Sequence, residues 1–167
     1  MSAVVVSAAV EQAVRDIPDP EIPVISIDDL GIVRDITIEG DTVRVTITPT
    51  YSGCPAVQAI TDHIGHTVRA HGLTPDVVTT LSPAWTTDWM SERGRESLRR
   101  FGIAPPSGSG PAGAGGPVVV GLSVRQVACP TCGSHDTEEL SRFGSTACKA
   151  LRRCRACLEP FEEFKAI

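Results

Sequence analysis

Cys129-Pro130-Thr131-Cys132-Gly133, with Cys154-Arg155-Ala156-Cys157 after twenty-one intervening residues, decides how the last third of the chain must fold. Each C-x-x-C turn brings two sulfurs within reach of one ion. Pro130 and Gly133 help the first turn close, so that backbone N–H groups point at sulfur. Two such pairs at this separation are the spacing of a zinc ribbon. Four thiolates at about 2.3 Å close a tetrahedral shell and leave no position for a substrate, so the site is structural. It is also needed, because the chain after residue 117 has three Phe and too few other large apolar groups to bury a core. Zinc suits Cys129, Cys132, Cys154 and Cys157, and a single iron or a cluster uses the same ligands.

Upstream, residues 102–117 read GIAPPSGSGPAGAGGP, with six Gly and four Pro in sixteen residues. Such a stretch holds neither a helix nor a central strand, and it reads as a linker. Before it the chain carries 14 acidic and 8 basic residues and one cysteine; after it, 6 acidic, 7 basic and five cysteines. Two units of different chemistry follow: a domain over 1–104, a Gly/Pro-rich linker over 105–117 and a zinc ribbon over 118–167. The ribbon's strands are predicted at Val118–Val127 and Phe161–Ala166.

The first unit reads as α-β-β-α-β-α, an α+β fold with one small sheet covered by helices. Ser2–Arg15 carries helical spacing with Ser2 as N-cap. Asp19-Pro20-Glu21-Ile22-Pro23 must turn or extend. Ile32–Glu39 and Thr42–Thr48 are a hairpin about Gly40-Asp41. Pro55–His71 is a helix with Pro55 at its first position, Asp76–Leu81 a third strand, and Asp88–Arg100 a last amphipathic helix.

Within Thr50-Tyr51-Ser52-Gly53-Cys54-Pro55, Cys54 is expected at a helix start, where exposed amides and the helix dipole favour thiolate. It is a candidate nucleophile or soft-metal ligand; the bland reading is a small buried residue. As the unit's sole cysteine it would need Asp19, Glu21, a histidine or another chain to hold a metal. His63 and His66 are three apart and could share an ion, but solvated helix histidines are the default. Trp85 and Trp89 read as core or as a contact patch, and Arg93, Arg95, Arg99 and Arg100 beside Glu92 and Glu96 as a solvated face. Cys148 is left over. Lys149, Arg152, Arg153 and Arg155 would favour its thiolate, making it a candidate reactive or additional thiol, the alternative being an inert one.

The whole chain has 167 residues and a formal net charge of −5, which argues against coating nucleic acid or an anionic membrane. No apolar run approaches the ~20 residues needed to cross a bilayer. Met1–Val10 lacks the basic start of a signal peptide. A reducing, cytoplasmic setting is expected, where six cysteines serve as ligands or thiols rather than disulfides.

Asp19-Pro20-Glu21-Ile22-Pro23, Leu30-Gly31-Ile32-Val33, the Thr50–Pro55 loop, Trp85-Thr86-Thr87-Asp88-Trp89 and Gly102-Ile103-Ala104-Pro105-Pro106 resemble the metal–sulfur cluster assembly domain family. With the four ribbon cysteines and Phe143-Gly144-Ser145-Thr146-Ala147-Cys148-Lys149, the chain resembles the PaaD family of accessory proteins encoded with phenylacetyl-CoA epoxidase. The resemblance implies an accessory role in aerobic phenylacetate catabolism. It points to help with iron–sulfur cluster or di-iron maturation of the epoxidase's reductase and di-iron oxygenase components. It marks Asp19, Glu21 and Cys54 as signature positions for transient iron or a cluster, and leaves a homodimer open. The long linker suggests loose docking of the ribbon. The second reading is a non-catalytic scaffold protein of the oxygenase complex whose cysteines are all structural. A third, an enzyme with Cys54 as nucleophile, lacks an evident general base.

Overall fold

The structure, a computed structural model, describes residues 3–107 and 126–166, with side chains from residue 7 on. It forms two compact units, Met1–Gly94 and Arg95–Ile167.

The first unit runs α1 (Ala3–Arg15), β1 (Val33–Glu39), β2 (Thr42–Ile47), α2 (Ala56–Ala70), β3 (Thr74–Thr79) and a 3-10 turn at Thr87–Trp89. β1 and β2 pair antiparallel from Val33↔Ile47 to Glu39↔Thr42. Gly40 takes φ +58° in the tight turn between them, a conformation costly for a residue with a Cβ. β2 and β3 pair in parallel, so the chain must cross over, and α2 is that crossover. Its stripe of Ile60, Ile64 and Val68 is buried, as are Val43, Val45 and Ile47 of β2 and Val10 and Val14 of α1. Each such side chain contributes about 1.5–3 kcal/mol when fully buried. This is the expected α+β arrangement, built as expected from branched aliphatics.

Between α1 and β1 the chain is folded by its own polar groups. Asp19 is buried; its Oδ1 accepts the N–H groups of Glu21 (2.9 Å) and Ile22 (2.8 Å). That Asx-type turn buries Ile22 and Ile25. Gly31 sits at φ +79°, and a Cβ there would lie 2.7 Å from the Cβ and carbonyl oxygen of Trp89. Only glycine meets both demands. Trp85 is buried with its indole N–H on the Leu30 carbonyl, and Trp89 lies under the Arg34 guanidinium at 3.5 Å. Both tryptophans are thereby partnered within the unit.

Two expected elements differ. The third strand begins earlier, at Thr74, and stops at Thr79, leaving Leu81 exposed. The single helix expected over Asp88–Arg100 is broken. The 3-10 turn, capped by the Thr86 hydroxyl accepting the Asp88 N–H, ends at Met90 in extended conformation. α3 (Glu92–Phe101) then starts afresh, with Ser91 Oγ accepting the Gly94 N–H at 2.9 Å.

The second unit contains a four-stranded sheet in the order β4 (Ile103–Ala104), β7 (Pro160–Phe164), β6 (Lys149–Cys154), β5 (Thr137–Ser141). β4 pairs with β7 in parallel, and the other neighbours are antiparallel. Ile103 and Ala104, placed by the sequence at the end of the first domain, are thus strand partners of Glu162 and Glu163. Of the ribbon strands expected, Phe161–Ala166 overlaps β7. Val118–Val127 falls outside the described residues up to 125, and Gln126 and Val127 are not strand. The expected linker likewise lies outside them from residue 108 on. β5 and β6 were not anticipated. They carry Glu138 and Arg153 as cross-strand partners, so charge pairing stands where apolar alternation would otherwise announce a strand.

No helix among the described residues is long and apolar enough to cross a membrane.

Candidate functional site

The two C-x-x-C turns are built alike. In the first, Cys129 N–H donates to the Ser134 carbonyl at 2.9 Å; in the second, Cys154 N–H donates to the Glu159 carbonyl at 3.0 Å. The Ser134 N–H is directed at Cys132 and the Glu159 N–H at Cys157. The Cys157 N–H donates to Cys154 Sγ at 3.5 Å. That donor and the Ala156 N–H hold the Cys154 thiol down to about 7.

All four Sγ atoms lie within 4.8 Å of one another, with Cys129–Cys157 at 3.8 Å and Cys132–Cys154 at 3.6 Å. A tetrahedral ion with bonds of about 2.3 Å requires sulfurs about 3.8 Å apart. The donor set therefore fits zinc or iron in a closed site. Among the described residues these are the sole group of three or more potential ligands drawn together, so His63 and His66 form no such site. Cys129 and Cys154 are buried against Ala104, Val127 and Phe161, so the metal centre and the small core are one object.

The first unit holds the other candidate. Cys54 is half-buried where the chain enters α2, and its sulfur accepts the Ala56 N–H and a hydrogen bond from Thr50. In this respect it does stand at a helix start. The expected thiolate is not favoured, however. Burial pushes the Cys54 thiol up, and the charges of Glu21 and Asp19 push it further, outweighing both donors. The turn carrying Asp19 and Glu21 thus lies against the loop carrying Cys54, although thirty-odd residues separate them in sequence. The part of Thr50, a buried residue, was missed; its one sequence signal is a short hydroxyl side chain in the loop before the thiol.

Cys148 is buried, 5% exposed, with Sγ 3.1 Å from Thr146 Oγ1. The basic run beside it is spent on the chain's own acids. Lys149 pairs with Glu162 at 2.7 Å, Arg152 with Glu163 at 3.1 Å, and Arg155 with Glu138 at 2.9 Å. The activating positive field expected around Cys148 is therefore largely neutralised.

An α+β domain carrying a thiol beside two carboxylates, followed by a four-thiolate ribbon, defines a class of small accessory proteins rather than a closed catalytic pocket. Residues 7–79 match the family described as "Iron-sulfur cluster assembly protein", and residues 115–165 match "PaaD zinc beta ribbon domain". The chain is 49% identical over 152 residues to a 1,2-phenylacetyl-CoA epoxidase subunit of Escherichia coli, covering 90% of this chain and 87% of that protein. It is 36% identical over 83 residues to the "Fe-S protein maturation auxiliary factor" of Porphyromonas gingivalis, covering 47% of this chain and 76% of that one. A DUF59 domain from Bacillus anthracis shares the fold at 22% identity and TM-score 0.51, covering 57% of this chain and 92% of that one. The chain belongs to the PaaD family: a cluster-assembly-type α+β domain joined to a zinc-ribbon domain.

Proposed function

We propose that this protein is an accessory factor of a phenylacetyl-CoA epoxidase that helps load iron, as a cluster or a di-iron centre, into the oxygenase's components. The observation that carries this reading is the set of Asp19, Glu21 and Cys54 in one place, within a chain of this family. Two hard oxygen donors and one soft sulfur offer iron a partial coordination sphere. Burial and neighbouring charge keep the sulfur protonated until a cation displaces the proton. Such a site favours pick-up and release over permanent retention. The ribbon's four thiolates take zinc and hold their unit together. The iron-containing reductase is the leading client and the di-iron oxygenase the second, and the setting is the cytoplasm.

The test is to produce the epoxidase components beside wild-type protein or the Cys54→Ser variant and measure their iron and absorbance. The reading expects components with substoichiometric iron beside the variant. Full iron and full activity there would favour a scaffold protein with structural cysteines.

A further inference from the structure

We infer that the open edge of β3, with Arg69, is a docking groove for an extended peptide segment carrying a carboxylate. The inference goes beyond the maturation reading and does not depend on it.

β3 ends its sheet, with β2 on one side and no described strand on the other. Its alternation can be read from its hydrogen bonds. Thr74 N–H donates to the Asp41 carbonyl and Thr80 N–H to the Ile47 carbonyl, so the even-numbered residues face β2. The N–H and C=O groups of Val77 and Thr79, and the C=O of Pro75, therefore point outward. Proline's place in the strand agrees, since it has no N–H to give and is tolerated where that side faces away from the sheet.

Beside this edge runs a groove of about 480 Å³ lined by Thr61, Asp62, His66 and Arg69 of α2 and by Pro75 and Val77 of β3. Its other lining residue is Gly65, in the middle of α2. A Cβ there would meet Arg69 Nη1 at 3.2 Å, so the guanidinium lies flat against the helix where a side chain would otherwise stand. A glycine in mid-helix costs about 1 kcal/mol relative to alanine, and here it makes room for the arginine.

Arg69 also differs from the other described arginines of its unit. Arg15 pairs with Glu11 and Asp28, Arg44 with Asp76, Arg93 with Asp29, and Arg34 stacks on Trp89. Among the described residues Arg69 has no carboxylate and no ring. Asp62, the acid in the groove, accepts the Gln58 amide at 2.9 Å. A guanidinium fork at the Pro75 end supplies a donor where the strand has none, and its geometry matches a carboxylate. Main-chain pairing to Val77 and Thr79, with an acidic group on Arg69, is strand addition with charge complementarity.

The test uses the full chain, metal-loaded and isotope-labelled. It is titrated with a blocked peptide Thr-Val-Glu-Val-Thr and with its Gln twin. The expected result is movement of the Val77 and Thr79 amide signals, with the Glu peptide binding at least 5-fold tighter. In Arg69→Gln, a substitution at an exposed position, the two peptides should bind equally. Amides that do not move, or a preference that survives Arg69→Gln, overturn the inference. So does a concentration-dependent dimer whose formation protects the Val77 and Thr79 amides, for then the occupant is a second copy.

Discussion

Gly133 and Leu158 stand at matching places in the two cysteine turns, each one residue past the second sulfur, with φ of +75° and +67°. The first turn fills this left-handed position with the residue suited to it. The second fills it with a leucine that is 69% exposed and gains little from its side chain. The left-handed region costs a residue with a Cβ roughly 1–2 kcal/mol, partly offset by the greater freedom glycine has when unfolded. Leu158→Gly should therefore stabilise the metal-loaded second unit by about 0.5–1 kcal/mol. Chemical denaturation read by a probe in that unit checks this. Leu158→Ala, which keeps the Cβ, should give no gain.

The four-thiolate site predicts a metal requirement. Purified protein should carry one zinc that survives dialysis, and Cys129→Ser should lose it. Because the cysteines are part of the unit's core, chelation should abolish chemical-shift dispersion in the second unit. The first unit, with its own aliphatic core, should keep its dispersion.

Asp29 organises the start of α3. Its carboxylate accepts Ser91 Oγ at 2.5 Å, Arg93 Nε at 2.9 Å and Ser26 Oγ at 3.2 Å. Burial would raise this carboxyl, but the donors from Arg93 and Ser91 hold it below the usual carboxylate range. A native value below the unfolded one means the stabilisation is present at neutral pH and is lost as pH falls through the native value. Asp29→Asn should cost about 2 kcal/mol at neutral pH. The gap from wild type should narrow between about pH 5 and about pH 3, measured by urea midpoints.

The Cys54 thiol, raised by burial and by Glu21 and Asp19, should alkylate more slowly at neutral pH than a free cysteine, with its rate rising only at higher pH. Glu21→Gln should shift that profile downward and speed the reaction. The experiment is done on zinc-loaded Cys148→Ser protein with mass-spectrometric readout. A rate profile unmoved by Glu21→Gln would mean that the carboxylate does not act on the sulfur.

Much of this was legible in the chain, because short-range rules govern it. Gly40-Asp41 between two β-branched runs gives the hairpin, and paired C-x-x-C spacing gives the metal centre. Where the reading slipped, a longer-range or weaker signal decided. The Ser91 start of α3 was hidden by apolar Trp89 and Met90, which extend the helical pattern past a true break. Pro75 argues for a later start to β3, yet an edge strand admits proline on its open side. Cys54 shows the limit most clearly. The local rule, a helix start, favours thiolate, and two carboxylates from a remote turn outweigh it, which no spacing within the Thr50–Pro55 loop could reveal.

The pairing of β4 with β7 carries a further consequence. Ala104 is fixed in the sheet on one side of the Gly/Pro-rich stretch, and buried Val127 on the other. That stretch is therefore a closed ring of chain rather than a leash. Lengthening it adds only a logarithmic entropy cost, so insertions should be tolerated. A single proteolytic nick within it should leave two fragments that still migrate together until denatured.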